Sequence, residues 1–598
     1  MDQLARFLGF GSTTGPGSFT SCAAASIPYP TNLPNAEFLS VEANLVTNYT
    51  VEIPPGFENS HSAPYAPLPV LNFCNVTLIY THPGLGDKIL TQVWLPLGDV
   101  DGGNAGVEES DTQQQQQKPL LKKKTDGSGG GSPSWNGRLQ GTGGGGFFTG
   151  FFPLTQAHGV GEGYAVVTTD GGARGADWGD ASYIVASPGN VDWTAVHNFG
   201  SVALHEAAVI GRAVTESFYR QKVRYAYFTG CSTGGRQAAM LAQRWPEDYD
   251  GYLAGAAALR CHDIVVALAP PALMTELSYT PPPCELRALR RLAMEACDGL
   301  DGVVDGLVSE PERCFEAFDP HTRVGESFVC EETGKTLQIT KEAAKISQLA
   351  WEGLRDVVEE DAEYGNGAQG SGKLIWGGGV GHQATITDSP FSWALTTCDY
   401  TPDPPRCHPA PWPFSAAWVQ SLVYKNLSHP VDVTGPEFQQ HGPRAVARIV
   451  RQARQWYTSA LGTFDTDLSG LRSSGGKMLM WHGMADEAIP LGNSREYYDA
   501  VAARDPKRVD GYLRYFEAPG IAHCGFGGEG NGLWPVSMLE ALRAWVEEGK
   551  APEVVPAVSK TAHPETRVRT KRNLCRYPQK AKYDGVGNIA DAASFKCL

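Results

Sequence analysis

Residues 229–237 read TGCSTGGRQ, a stretch in which Ser232 occupies the serine position of the pattern G-x-S-x-G. The apolar run VRYAYFTG over 223–230 predicts a strand that ends here, and GGRQAAMLAQRW over 234–245 predicts a helix that begins just after it. A serine on a sharp turn between a strand and a helix is typical of a nucleophile elbow. The stretch therefore indicates that Ser232 is a nucleophile, and a plain glycine-rich turn is the alternative that this pattern alone leaves open.

A serine nucleophile needs a base to take its proton and an acid to orient that base. Asp486 follows the predicted strand MLMWHGMA, and His523 follows the predicted strand LRYFEAPG. His482 is an alternative base and Glu487 an alternative acid. His482 precedes the acid in the chain, however, and Asp486 has the better position at the end of its strand. We therefore predict a catalytic triad of Ser232, Asp486 and His523.

Backbone N–H groups close to Ser232 predict an oxyanion hole. The N-terminus of the helix after Ser232 presents the N–H of Thr233 to a developing negative charge. A second donor is expected from the four glycines at 143–146, because a backbone without side chains can approach closely. Gly144 and Gly145 are the candidates for this donor.

Two of the three triad residues have a cysteine directly beside them. Cys231 precedes Ser232, and Cys524 follows His523. If the nucleophile and the base meet, the two cysteines are also brought together, and we predict a Cys231–Cys524 disulfide that keeps both loops in register. A disulfide-bonded sulfur is not a thiolate, so this bond argues against the alternative in which Cys231 is the nucleophile.

The composition describes a large globular protein of 598 residues with 42% hydrophobic and 19% charged residues. The formal net charge of -16 argues against a nucleic-acid partner, and no run of 18 apolar residues predicts a membrane span. Thirteen cysteines and N-x-[ST] sequons at Asn48, Asn75 and Asn426 indicate a secreted protein. The first residues nevertheless show no evident signal peptide.

The succession of strand and helix signals predicts the α/β class with a parallel sheet. We expect one catalytic domain, made of residues 1–256 and 471–598, that is interrupted by a large inserted domain over 257–470. The inserted domain is rich in proline, cysteine and acidic residues, which breaks the strand–helix rhythm. Residues 101–134 have no apolar face to bury and are predicted to be a disordered insertion.

The stretch CDGLDGVVDGLVSEPERC, which begins at Cys297, holds the three carboxylates of Asp298, Asp301 and Asp305. Three carboxylates in eight residues repel one another unless a cation joins them, and their oxygens suit a hard ion such as Ca²⁺. The spacing is not that of an EF-hand, so the residues alone leave a solvated acidic turn equally open. Cys297 and Cys314 bracket the loop and are predicted to pair.

Six motifs together resemble the fungal tannase and feruloyl esterase family, which consists of secreted serine esterases. The resemblance covers nearly the whole chain apart from residues 101–134, and its most specific element is the pairing of Cys-Ser with His-Cys. The motifs are WNGRLQGTGGGGF (135–147), TTDGGA (168–173), TGCSTGGRQ (229–237), CDGLDGVVDGLVSEPERC (297–314), WHGMADE (481–487) and GIAHCGFGG (520–528).

The resemblance implies an α/β-hydrolase fold in which the inserted domain is a lid, and it implies the triad and the linking disulfide named above. It also implies a structural Ca²⁺ in the lid. The ligands of this ion would be the side chains of the three aspartates together with the backbone carbonyls of Val303 and Leu307.

The resemblance implies phenolic ester substrates, either small molecules or groups linked to a polymer. We expect galloyl esters of tannins, since Glu487 follows the acid where feruloyl esterases more often carry proline, and since the segment around the acidic loop and after Cys330 resembles the tannase branch. A feruloyl esterase is the alternative. A non-catalytic secreted binding protein that retains the hydrolase shell is an alternative of another class.

The remaining cysteines are expected to form further disulfides, and their odd total requires at least one unpaired thiol. The expected pairs are Cys22–Cys74, Cys398–Cys407, Cys575–Cys597 and Cys261–Cys284, which leaves Cys330 without a partner.

Overall fold

The computed structural model describes residues 21–33, 35–52, 68–98, 133–150, 153–173, 178–356, 372–401, 405–525, 530–562 and 567–598. The disordered insertion predicted over 101–134 lies outside these ranges, apart from its last two residues. Ser134 forms a β-bridge with Leu97, and the Gly98 N–H donates to the Pro133 carbonyl at 3.1 Å. The two ends of the insertion therefore meet beside each other.

The described residues contain both helices and strands throughout, which confirms the α/β class. The strands are β1 (Glu37–Tyr49), β2 (Leu71–Thr81), β3 (Ile89–Pro96), β4 (Arg138–Thr142), β5 (Ala165–Thr169), β6 (Val185–Ser187), β7 (Asn190–Val191), β8 (Tyr225–Cys231), β9 (Gly251–Gly255), β10 (Ser327–Cys330), β11 (Lys335–Gln338), β12 (Thr396–Asp399), β13 (Arg406–Pro409), β14 (Lys477–Gly483), β15 (Leu513–Ala518), β16 (Leu533–Pro535), β17 (Val554–Ala562), β18 (Arg569–Cys575), β19 (Ala581–Tyr583) and β20 (Phe595–Cys597). The α-helices are α1 (Pro153–Gly161), α2 (Trp193–Gly200), α3 (Val202–Tyr219), α4 (Thr233–Arg244), α5 (Ala269–Leu277), α6 (Pro283–Cys297), α7 (Pro311–Ala317), α8 (Lys341–Glu352), α9 (Pro413–Trp418), α10 (Pro436–Leu461), α11 (Ser469–Ser474), α12 (Leu491–Arg504) and α13 (Met538–Glu548).

A nine-stranded sheet forms the centre of the fold, in the order β1-β2-β3-β5-β4-β8-β9-β14-β15. The strands from β5 to β15 in this order are parallel, whereas β1, β2 and β3 pair antiparallel and join the parallel part through β3 and β5. β9 and β14 are parallel neighbours, so the long segment between them leaves the sheet after β9 and re-enters it as β14, directly beside β9. The carboxyl ends of β8, β14 and β15 consequently lie along one edge of the sheet.

Helices cover both faces of this sheet, which explains why its parallel strands read as continuous apolar runs. One face packs against α3, α4 and α12, with Ile210, Leu241 and Tyr497 completely buried. The other face packs against α1 and α13, with Val160 and Leu542 completely buried.

The segment between β9 and β14 is mainly helical and has its own apolar core. Leu289 of α6, Ala350 of α8 and Val446 of α10 are completely buried in a cluster drawn mostly from residues 258–461. No helix within the described ranges is both long enough and apolar enough to cross a bilayer.

Residues 197–220 have one continuous helical apolar spacing, but the structure divides them between α2 and α3. Ser201 separates the two helices with a φ of -165° and a ψ of -39°. Its backbone N–H donates to the His197 carbonyl at 2.9 Å, so the end of α2 is capped before α3 begins. A conformational break of one residue does not disturb the apolar spacing and leaves no trace in the pattern.

Six disulfides occur among the described residues, and all but one of them were expected from the sequence. They are Cys22–Cys74, Cys231–Cys524, Cys284–Cys330, Cys297–Cys314, Cys398–Cys407 and Cys575–Cys597. The expected Cys261–Cys284 pair is wrong. Cys284 lies in the first turn of α6, which packs against β10 and places the Cys284 Cα 5.2 Å from that of Cys330, while Cys261 is a buried free thiol.

Candidate active site

Ser232 lies on the turn between β8 and α4, with a φ of 62° and a ψ of -121° that residues other than glycine rarely adopt. Glycines beside it allow the backbone to turn so sharply. A Cβ at Gly230 would lie 2.5 Å from the backbone of Gly234, and a Cβ at Gly234 would lie 2.8 Å from the carbonyl oxygen of Gly144. The Ser232 N–H donates to the carbonyl of Gly255 in β9 at 3.0 Å. The pattern G-x-S-x-G therefore reflects a turn with no space for side chains.

Asp486 and His523, which follow β14 and β15, contact each other directly. The Nδ1 atom of His523 lies 2.9 and 3.0 Å from the two carboxylate oxygens of Asp486. The Oδ1 atom of Asp486 also accepts the backbone N–H groups of Ala488 at 2.9 Å and Ile489 at 2.8 Å. With Nδ1 held in this way, the other ring nitrogen, Nε2, lies 3.7 Å from Sγ of Cys524.

The contact between Asp486 and His523 shifts the pKa of both groups. Burial alone would raise the pKa of Asp486, but the facing rings of His523 and His482 hold it well below its usual range. Burial alone would lower the pKa of His523, but Asp486, and then Glu487, raise it above the ordinary value. The aspartate is therefore ionised at neutral pH and stabilises a proton on the imidazole.

The two alternative residues occupy other positions. His482 is completely buried behind the acid, with its Nε2 atom 3.1 Å from the Ile489 carbonyl and 3.2 Å from Oδ2 of Asp486. Glu487 accepts the backbone N–H of His523 at 2.9 Å and does not contact the imidazole nitrogens by hydrogen bonds. Neither His482 nor Glu487 reaches the cavity in which Ser232 lies.

The Cys231–Cys524 disulfide joins the nucleophile turn to the loop of His523, with the two Cα atoms 6.0 Å apart. Ser232, His523 and this disulfide all line one cavity of about 500 Å³. Within the described part of the chain no hydrogen bond joins the Ser232 hydroxyl to His523, and catalytic hydrogen bonds often tighten only in the complex with substrate. The sequence-predicted nucleophile and base thus share a cavity, and the acid stands directly behind the base.

The glycine loop before α1 faces the same turn, and its position corrects one predicted donor. The Gly144 N–H donates to Oε1 of Gln237 at 2.9 Å, while Nε2 of Gln237 donates to the Thr149 carbonyl at 2.9 Å. Gln237, which sequence reasoning missed, therefore uses the Gly144 N–H to anchor the loop. The N–H groups of Gly145 and Thr233 have no acceptor within the described part of the chain, and both residues line the cavity.

Most of the remaining cavity wall is aromatic or aliphatic. Polar side chains on the wall are few, and beyond Ser232, Thr233 and His523 they include Glu52 and Thr155. Both the sheet domain and the segment between β9 and β14 contribute aromatic rings, among them Phe147, Trp178, Phe199, Phe391, Trp412 and Phe414. Such a wall suits a flat apolar acyl group. No sequence pattern indicates these rings, because they are scattered over more than 250 residues of the chain.

The acidic loop after α6 carries oxygen ligands of the kind that a hard cation takes, but among the described residues its three carboxylates do not form a cluster with oxygens within 4.8 Å of one another. Asp301 Oδ1 accepts the Val303 N–H at 3.0 Å, while Asp301 Oδ2 is buried without a hydrogen-bond partner among the described residues. Asp298 accepts the N–H groups of Asp305 and Gly306, both at 3.0 Å, with its Oδ1 atom. An orphaned, buried carboxylate oxygen is costly unless a cation or a donor meets it.

Comparison with known proteins identifies the family. A family model described as "Tannase and feruloyl esterase" matches residues 131–598. The chain belongs to the tannase and feruloyl esterase family. It is therefore a carboxylic ester hydrolase.

A protein named probable feruloyl esterase and a protein named tannase are both similar to this chain over most of its length. It is 33% identical over 572 residues to a probable feruloyl esterase of Arthroderma benhamiae, covering 95% of this chain and 92% of the relative. It is 27% identical over 563 residues to a tannase of Aspergillus oryzae, covering 88% of this chain and 85% of the relative.

Solved structures of the family confirm the α/β-hydrolase fold. The tannin acyl hydrolase from Aspergillus niger aligns with a TM-score of 0.75 at 24% identity and covers 96% of this chain and 94% of its own. The feruloyl esterase B from Aspergillus oryzae aligns with a TM-score of 0.67 at 23% identity and covers 96% of this chain and 100% of its own.

Replacing both Cys231 and Cys524 with alanine is expected to lower the free energy of unfolding by about 2–5 kcal/mol and also to reduce kcat, since the nucleophile and base loops lose their link. The measurement is thermal unfolding together with steady-state kinetics. The matched control replaces Cys398 and Cys407, whose disulfide joins β12 and β13 away from the cavity wall, and is expected to keep kcat. Equal kcat values in both double variants would contradict the alignment role.

The Asp486→Asn variant is expected to lower kcat/KM by about a thousandfold or more, because the imidazole loses its orienting anion. It should also move the acid limb of the pH profile to lower pH. His523 must be neutral to act as a base, and the negative charge of Asp486 raises the pKa of His523. Without that negative charge the imidazole stays neutral down to a lower pH. The measurement is kcat/KM of the residual activity from pH 4 to pH 9, and an unmoved limb would contradict this assignment.

Proposed function

We propose that this esterase hydrolyses esters of phenolic acids with Ser232 as the nucleophile, His523 as the base and Asp486 as the acid. The observation that carries the proposal is one cavity that contains Ser232 on its strained turn and His523 already bound to Asp486. The disulfide between their neighbouring cysteines supports it, because a covalent link keeps the nucleophile and base loops together.

The reaction begins when Ser232 Oγ attacks the ester carbonyl carbon while Nε2 of His523 takes its proton. The carbonyl oxygen becomes an oxyanion, which the N–H groups of Thr233 and Gly145 stabilise. Collapse of this intermediate breaks the bond to the alcohol, which leaves with the proton from His523, and the acyl group stays on Ser232. Water then attacks the acyl-enzyme in the same manner, which releases the acid and restores the serine.

Among phenolic acids, we propose a hydroxycinnamoyl group in preference to a galloyl group, and the apolar cavity wall supports this choice. A galloyl ring has three adjacent hydroxyls, and each would lose a hydrogen bond to water against a wall of aromatic side chains. Glu487, on which the sequence-based preference for galloyl esters depends, is buried beside the His523 backbone and does not line the cavity. The 33% identity to a probable feruloyl esterase also supports the hydroxycinnamoyl group.

A galloyl ester is the second candidate. Glu52 and Thr155 lie on the cavity wall and offer a carboxylate and a hydroxyl to ring hydroxyls. The 27% identity to a tannase over 88% of this chain supports this candidate as well.

The test compares kcat/KM for methyl ferulate and methyl gallate with the wild-type protein and with Ser232→Ala. We expect methyl ferulate to be preferred by about tenfold or more, since a cavity without matching acceptors penalises buried hydroxyls. The Ser232→Ala variant should lose hydrolysis of both esters. A preference for gallate would establish the second candidate, and full activity in Ser232→Ala would overturn the catalytic assignment.

We further propose that the loop of Asp298, Asp301 and Asp305 binds a structural Ca²⁺, with backbone carbonyls of Val303 and Leu307 as further ligands. The unpartnered buried oxygen of Asp301 supports this site. Bound Ca²⁺ would supply positive charge that relieves repulsion between the carboxylates. Arg572 already donates to Oδ2 of Asp305 at 3.1 Å and neutralises part of the negative charge of the three carboxylates.

Adding Ca²⁺ to chelator-treated protein is expected to raise the melting temperature, because an ion that binds only the folded state stabilises it by about 2.7 kcal/mol at a hundredfold excess over its Kd. The Asp301→Asn variant should lose most of this response. Asp399→Asn, at an exposed carboxylate of β12, is the matched control and should retain it. An unchanged melting temperature in the wild-type protein at millimolar Ca²⁺ would contradict the site.

Secretion is also part of the proposal. Six disulfides support it, since cysteines remain reduced in the cytosol and such bonds persist outside it.

The segment between β9 and β14 supplies Phe391, Trp412 and Phe414 to the cavity wall, and we propose that it acts as the lid.

A further inference from the structure

Glu487 is a buried carboxylate that the proposed reaction does not use. It is 1% exposed, and no lysine or arginine contacts it within the described residues. Burial and the adjacent charge of Asp486 raise its pKa. A buried carboxylate without a cation is expensive unless its oxygens accept good hydrogen bonds, so its position calls for a reason.

The two oxygens of Glu487 bind two separate parts of the chain. Oε2 accepts the backbone N–H of His523 at 2.9 Å, and Oε1 accepts the hydroxyl of Ser389 at 2.7 Å. Ser389 precedes Glu487 by 98 residues and belongs to the segment between β9 and β14. One side chain therefore joins this inserted segment to the loop that carries the base.

Ser389 lies in the turn TITDSPFSWA, residues 385–394, which we call the Ser389 turn. The turn is closed by the Ala394 N–H, which donates to the Ile386 carbonyl at 2.8 Å. A second bond docks the turn on the same side, because the indole N–H of Trp393 donates to the Ala488 carbonyl at 3.1 Å. The turn is thus attached to two consecutive residues after the acid.

Phe391 is the residue of this turn that reaches the cavity. Its ring centroid lies 5.3 Å from that of His523, and it also packs against Phe414, at 6.0 Å, and Trp178, at 5.7 Å. Since Phe391 is only two residues from Ser389, the bond to Glu487 holds this ring beside the base.

We propose that Glu487 is a positioning residue that fastens the Ser389 turn to the loop of His523, so that Phe391 closes the cavity against the base. This inference rests on the proposed esterase reaction of Ser232 and His523. An ionised carboxylate suits the role because it accepts strong hydrogen bonds on both oxygens. Neither bond involves a side-chain atom of Ser232, Asp486 or His523. Loss of the link should reduce kcat more than it raises KM, because the geometry of the base changes while most of the cavity wall remains.

The experiment is a double-mutant cycle with Ser389→Ala and Glu487→Leu, in which kcat and KM are measured on methyl ferulate or, if gallate is preferred, methyl gallate. Ser389→Ala should lower kcat by about threefold to tenfold with KM within about twofold, as expected for the loss of one buried hydrogen bond. Glu487→Leu should lower kcat further, and the double variant should be no slower than Glu487→Leu alone. Additive effects, or a kcat unchanged in both single variants, would overturn the proposal.

Two further variants separate positioning from general stability. Glu487→Gln should stay within about threefold of wild-type kcat, because its amide oxygen accepts from the His523 N–H and its amide nitrogen donates to Ser389. Glu285→Leu is the matched control. Glu285 is a 2% exposed carboxylate in α6 that accepts from Tyr279 and Thr340, and its loss should lower the melting temperature without lowering kcat.

Hydrogen exchange provides a readout that needs neither activity nor a leucine variant that folds. The backbone N–H of His523 should exchange faster in Ser389→Ala than in the wild-type protein, since its acceptor Glu487 is no longer held. Unchanged exchange together with unchanged kcat would overturn the proposal. A wild-type protein that hydrolyses no aromatic ester would instead overturn the proposed function, and the exchange measurement would still decide the role of Glu487.

Discussion

Close approach of backbone to backbone around Ser232 is the constraint on which the active site depends. The nucleophile turn, the glycine loop and the end of β9 meet with no space for side chains, since a Cβ at Gly235 would lie 2.3 Å from the Gly255 carbonyl oxygen. The turn also holds Ser232 at a φ of 62°. This strain persists only because the neighbouring strands and α4 determine the backbone path on every side. As a result, Ser232 lines the cavity together with Gly145 and Thr233.

Covalent and electrostatic contacts complete the site around that turn. The Cys231–Cys524 disulfide limits the distance between the loops after β8 and β15, two strands that are not neighbours in the sheet. Asp486, held by the N–H groups of Ala488 and Ile489, then fixes the ring of His523. The disulfide thus holds the Ser232 turn and the His523 loop together, whereas Asp486 orients the His523 ring.

The inserted segment supplies part of the cavity wall. It leaves the sheet at the carboxyl end of β9, on the edge where Ser232, Asp486 and His523 follow their strands, and it then crosses to the amino end of the parallel neighbour β14. Its rings make the cavity apolar, and its Ser389 turn reaches down to Glu487. Ser232 and His523 and part of the apolar wall thus come from different parts of the chain that share one cavity.

Local order along the chain allowed much of the site to be predicted. A serine between a strand and a helix, an acid and a histidine after two later strands, and a cysteine beside each of two of these residues are all signals of a few residues, and the structure brings those residues together. The α/β class followed from the same kind of signal. Contacts between distant segments could not be predicted in this way. The choice between Gly144 and Gly145 depends on where Gln237 points, and the partner of Cys284 depends on the packing of α6 against β10.

The sequence by itself therefore determined the fold class, the candidate triad and the disulfide beside it. Each of these can be inferred from neighbouring residues and from the order of the predicted strands along the chain. Only the tertiary structure decided which N–H groups are free, which rings line the cavity and what the buried Glu487 binds. The physical reason is that these properties depend on side-chain contacts between segments up to hundreds of residues apart, and such contacts leave no periodic or local pattern in the chain.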